Sequence, residues 1–161
     1  MDFDERLQRA IVRGEQARNA EGRRKTEQAL SEDELKTLHS KCRLDLSEHI
    51  ENCLRRLADH FPGFDFQTIV GEDGWGAKIN RDDFQPGRGR QSENLYSRLE
   101  MVIRPFSATH IVELAAKATI RNKENFNRSH YQFLDQYDAK AFQELIDLWL
   151  LEYAEQYASR S

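Results

Sequence analysis

From Ser31 to Phe61 the apolar residues recur at steps of three and four: Leu35, Leu38, Cys42, Leu46, Ile50, Cys53, Leu57 and Phe61. That spacing puts one continuous stripe on one face of a helix. Ser31, with Glu34 three residues on, has the capping-box pattern for its start, and Pro62-Gly63 ends it. From Phe64 the period changes to two. Phe64, Phe66, Thr68 and Val70 alternate with Asp65, Gln67 and Ile69; past GEDG, Trp75, Ala77 and Ile79 alternate with Gly76, Lys78 and Asn80. Two such runs about a Gly-rich turn predict a hairpin. A phosphate cradle would instead lead into a helix, so the glycines are assigned to the turn.

Two further strands follow. Leu95, Ser97, Leu99, Met101 and Ile103 face inward on the third; Val112, Leu114, Ala116, Ala118 and Ile120 do so on the fourth. Asp82 to Asn94 has the composition of a polar connector, and residues 122–133 show no clear period. Asp138 is placed to cap a last helix, whose apolar face holds Phe142, Leu145, Ile146, Trp149, Leu150, Tyr153 and Tyr157. Residues 1–30 form a charged helical arm, with a short stripe at Phe3, Leu7, Ala10 and Ile11 and a basic cluster, Arg23 to Lys25, offset by Glu21 and Glu27. Residues 31–161 form a single α+β domain. The expected architecture is a four-stranded antiparallel β-meander with helices packed on one face, a two-layer sandwich in the order α-α-β-β-β-β-α.

The outward residues fix the register of the third and fourth strands. Two neighbouring registers set like charges opposite each other, Glu100 on Glu113 or Arg98 on Lys117, which is unfavourable. A third pairs Arg104 with Glu113, Glu100 with Lys117 and Tyr96 with Arg121. It also matches large with small inside, Met101 on Ala116 and Leu99 on Ala118. That register is the expected one.

Composition narrows the function classes. The chain has 161 residues, 32% charged, 39% hydrophobic and a formal net charge of −4, which gives no global attraction to nucleic acid or anionic membrane. No apolar run approaches the roughly 20 residues of a membrane span, and the charged start MDFDERLQRA does not resemble a secretory signal. A cytoplasmic protein is expected. On one helix Cys42 and Cys53 lie about 16 Å apart, too far for a mutual disulfide.

Against that net charge, the outward sheet face carries five cations, Lys78, Arg98, Arg104, Lys117 and Arg121, and three carboxylates, Asp65, Glu100 and Glu113. With Tyr96 among them, Lys78, Arg98, Arg104, Lys117 and Arg121 make a candidate surface for an acidic or phosphate-bearing partner; Arg88 and Arg90 of the GRGR segment extend it. Nucleic acid is disfavoured, since only Tyr96 offers an outward aromatic for stacking.

His39 with Cys42 and His49 with Cys53 have spacings at which helical side chains share a ligand. Each pair is at most half a zinc site that needs ligands from elsewhere, and no CxxC or HExxH spacing supplies them. Asp45, His49 and Cys53 step by four, the arrangement of an oriented imidazole beside a thiol. Without an anion-stabilising loop nearby, the cysteines are expected to be structural, and no metal or cofactor is expected. Leu148 and Leu151 fall outside the main stripe of the last helix, as Leu44 does on the earlier one. A helix apolar on two sides is either sandwiched or meets a partner. The sequence therefore points to a non-enzymatic interaction module, homodimeric through Leu148 and Leu151, that receives an acidic partner on its sheet. The alternative is a ligand-binding protein or enzyme with a pocket between sheet and helix involving His49 and Cys53.

Overall fold

A computed structural model describes residues 2–86 and 92–160, with side chains described except at 23–30, 85–86 and 92–93. Phe3–His60 forms α1, a helix of 58 residues without interruption. Ser31 and Glu34 therefore lie inside a helix and do not start one. Residues 13–28 are rich in Arg, Glu, Gln, Ala and Lys, whose helix propensity carries the backbone through without an apolar stripe. Contacts divide the chain into two units, Met1–Thr37 and Leu38–Ser161, whereas the sequence pattern puts the end of the arm at residue 30. In the first unit Phe3, Leu7 and Ile11 are all exposed.

The second unit is α+β, with an antiparallel meander of five strands where the sequence pattern shows four. They are β1 (Asp65–Gly71), β2 (Gly74–Pro86), β3 (Ser92–Ile103), β4 (Ile111–Ile120) and β5 (Lys123–Phe133), each paired with its neighbour in chain order. The extra strand is β5. Arg121 and Asn122, with φ of 47° and 69°, make the two-residue turn that leads into it, in the left-handed conformation that suits the twist of a hairpin. Its inward positions carry Arg128, His130 and Gln132, so hydrophobic alternation is missing. Arg128 instead forms a two-pronged ion pair with Glu152, His130 packs edge-on against Phe142, and Gln132 accepts a hydrogen bond from the Asp138 N–H at 2.7 Å.

The polar connector is corrected as well. β2 runs on to Pro86 and β3 begins at Ser92, so most of residues 82–94 is a strand pair. Polar side chains there satisfy one another: Arg81 donates to Asp83 at 2.8 Å and Asn94 to Asp82 at 3.1 Å. Arg88 and Arg90 lie outside the described residues, as do the side chains of Arg23, Arg24 and Lys25.

Between β3 and β4 the register is the one the charges require. Glu100 faces Lys117, Met101 faces Ala116, Leu99 faces Ala118, and the Arg104 Nε lies 3.7 Å from a Glu113 carboxylate oxygen. The ladder ends one step early. Tyr96 does not face Arg121; its backbone bonds Asn122 on both sides, through the Asn122 N–H and the Asn122 side-chain oxygen.

One face of the sheet is covered by helices. Leu46, Ile50, Leu54 and Leu57 of α1 are buried, and so are Phe142, Ile146, Trp149, Leu150, Tyr153 and Tyr157 of α2 (Ala139–Arg160). Asp138 caps α2 as its position predicts, accepting from the Ala141 N–H at 3.2 Å. The α1 segment lies over β1 and β2, where Arg43 stacks on Trp75 and Arg55 on Phe66. Over β4 and β5 lies α2, where Trp149 packs by Phe126 and the Tyr153 hydroxyl donates to the Thr119 carbonyl. His49 lies beside Asp147 and Phe61 beside Tyr157, so the two helices run side by side in the same direction. No helix among the described residues is long and apolar enough to cross a membrane.

Candidate functional site

The helix-on-helix seam brings together groups that the sequence leaves apart. On α1, His49 and Cys53 are one turn apart on the flank of the stripe Leu46–Ile50–Leu54–Leu57, so both look sideways along the helical layer. On α2, Asp147 follows the buried Ile146 and flanks the same seam. The His49 Nε2 lies 2.8 Å from Asp147 Oδ1, the Cys53 Sγ lies 3.4 Å from that same oxygen, and Sγ and Nε2 are 3.5 Å apart. Three donor atoms of three chemical types thus converge on one point. The His49 side chain is 27% exposed and that of Asp147 51%, so solvent reaches the point from one side.

This is not the geometry of an activated nucleophile. In an oriented-imidazole arrangement one ring nitrogen meets the thiol and the other meets the carboxylate. Here Nε2 faces both. Asp45, the carboxylate that the sequence spacing offers, is exposed and has no described contact with His49; its field acts on Cys42 and Tyr137 instead. Burial, then the adjoining Asp147 carboxylate, push the Cys53 thiol up to about 11, away from the thiolate a nucleophile needs. The pair His39 and Cys42 separates. His39 is buried edge-on against Phe106 and bonded to the Arg104 backbone, while Cys42 is buried near Tyr137.

Beside the seam runs an apolar groove of about 660 Å³, lined by Leu57, Phe61, Leu150, Leu151 and Ala154, with Cys53 and Asp147 at its edge. It lies between the two helices, not between sheet and helix. Leu151, which lines this groove, is 67% exposed, and Leu148 on the same helix and Leu44 on α1 are 59% and 62% exposed.

The outward sheet face is different in character. Arg98 donates to Glu100 at 3.0 Å, Glu100 also stands between Lys78 and Lys117 across the neighbouring strands, and Arg104 meets Glu113. The extended β2 and the additional β5 bring Asp82 and Glu124 to this face, opposite Tyr96 and Thr119, and cancel the surplus of cations. Arg121 sits in the β4–β5 turn, close enough to the buried Tyr157 to act on its phenol. Beyond Tyr96, the face carries three aromatics that the sequence pattern does not place there: Phe84, Tyr131 and Phe133, the last two edge-to-face at 5.9 Å.

No protein family, curated protein or solved structure matches this chain.

Proposed function

We propose that this protein is a non-enzymatic interaction module that pairs with a second copy of itself through the outer surface of its helical layer. The observation that carries the reading is the set Leu44, Leu148 and Leu151. Three large apolar side chains stay more than half exposed on a layer whose other face already covers the sheet. One of them, Leu151, lines the apolar groove between the helices, and a contiguous apolar surface marks a docking site where scattered single residues do not. A two-fold axis across the helices would set these surfaces face to face, within a rim that carries charges of both signs: Lys41, Arg56, Asp45 and Glu48 exposed on α1, Lys140, Glu144 and Glu155 on α2. Stacked in that way, two sandwiches would bury both helical layers between two sheets.

An acidic partner on the sheet face is the weaker proposal. Lys78, Arg98, Arg104 and Lys117 already face carboxylates of their own sheet, and exposed pairs of this kind contribute about 0–1 kcal/mol each.

Sedimentation equilibrium of the full chain tests the reading. The expected result is a mass of two chains for the wild type and of one chain for Leu148→Asp/Leu151→Asp. A wild type that sediments as one chain at every concentration, or a pair that the double variant leaves intact, would reject it.

A further inference from the structure

We propose that His49, Cys53 and Asp147 form a binding site for a divalent transition-metal ion, zinc by preference, with one coordination position open to solvent. This inference stands apart from self-association and needs only one copy of the chain.

The first support is geometric. A tetrahedral zinc ion with bonds of roughly 2.0–2.3 Å keeps its ligand atoms roughly 3.3–3.8 Å apart. The sulfur already lies 3.5 Å from the His49 nitrogen and 3.4 Å from the Asp147 oxygen. Only the nitrogen–oxygen separation, 2.8 Å, is shorter. It is a hydrogen bond that an ion would replace, and the half-exposed Asp147 side chain is free to swing outward by the small distance needed.

The second support is the convergence itself. Three groups from two helices point at one locus, and among the described residues no other set of three such side chains does so. A relay would string its members in a line, whereas a cation draws them around a centre. Charge agrees with this. A thiolate and a carboxylate together neutralise a doubly charged ion, and the Cys53 proton leaves to solvent as the sulfur–metal bond forms.

The third support is chemical class. Sulfur, imidazole and one carboxylate are a set for zinc, with cobalt as its spectroscopic substitute; magnesium and calcium take oxygen ligands. Three protein ligands also leave a fourth position for water, the pattern of sites that bind an exchangeable ligand. That position lies on the exposed side of the seam, next to the groove lined by Leu57, Phe61, Leu150 and Leu151. The half-site at His49 and Cys53 is thus completed from the facing helix.

Cobalt(II) chloride titrated into the purified, chelator-treated full chain provides the test, read by absorption and by equilibrium dialysis. The expected result is one ion bound per chain with a thiolate-to-cobalt charge-transfer band, and displacement by an equal amount of zinc chloride. Cys53→Ser removes the band. His49→Asn and Asp147→Asn weaken binding tenfold or more, and Cys42→Ser changes nothing. Far-ultraviolet circular dichroism of each variant shows whether it is folded, and Asp147→Asn, at a half-exposed position, is the mildest change. Absence of a band in the wild type, a band that follows Cys42, or binding that Asp147→Asn leaves unaltered in a folded protein would overturn the proposal. Sedimentation of the metal-free protein reports on self-association separately, so either reading can fail alone.

Discussion

Gly76 lies on β2 opposite Val102 of β3, with no room for a side chain. A Cβ built there would fall 1.9 Å from the Met101 carbonyl oxygen, and one on Gly74, at φ 138°, would fall 2.4 Å from that of Ile103. Gly71, on the same hairpin, would meet nothing within 4 Å. Gly76→Ala is therefore expected to cost about 3 kcal/mol or more, and Gly71→Ala to stay within about 0.5 kcal/mol, by urea denaturation. The sequence shows that GEDGWG is a turn; that its last two glycines serve the approach of a neighbouring strand is visible only once β3 is in place. His39 poses the opposite case, a polar group that burial leaves half satisfied. Its Nε2 has no partner, and burial lowers its affinity for a proton below the ordinary 6.5, outweighing the Arg104 backbone bond. The unfolded chain takes up that proton near pH 6.5 and the folded chain does not, so this residue makes stability fall as pH drops through 6.5 toward the lowered value. His39→Leu is expected to flatten the fall in unfolding free energy between pH 7.5 and 5.5. An unchanged slope would show that His39 is not the group responsible.

Among the elements, β3 and β4 were legible because each face carries its own constraint. Leu99 and Met101 need small partners, and Glu100 needs a cation, so one register satisfies both. The same opposition gives a test. Lys117→Glu places carboxylates opposite each other and is expected to cost about 1 kcal/mol, while the same change made on a Glu100→Gln background is expected to cost clearly less, read by thermal unfolding. An equal cost on both backgrounds would mean that the two side chains do not interact. β5 was not legible, because three of its inward positions answer to particular partners, Glu152, the Phe142 ring and the Asp138 N–H, and only Phe126 packs into the apolar core. The one local signal was Asn122, a residue that tolerates the left-handed turn. The capping box at Ser31 misled for a different reason: a start signal has no force when the preceding residues are already helical. Asp147 cannot be joined to His49 and Cys53 from sequence, because periodicity alone does not align neighbouring helices. His49 and Cys53 were identifiable on α1, but their third companion depends on α2 running beside it in the same direction.

For the molecule as a whole, the second unit has a balanced side and an unfinished side. The outer sheet face neutralises itself, strand by strand, through Arg98, Glu100, Lys117, Arg104 and Glu113. The helical layer keeps Leu44, Leu148 and Leu151 in water and opens a groove between its helices. Hydrogen–deuterium exchange followed from low to high protein concentration tests this division most directly, since it reports which surface becomes protected as chains meet. Slowing with concentration is expected to be centred on residues 144–155 of α2 and on 41–56 of α1, with β3 and β4 unaffected. Protection that grows on β3 and β4 instead, or exchange that does not depend on concentration anywhere, would contradict this division.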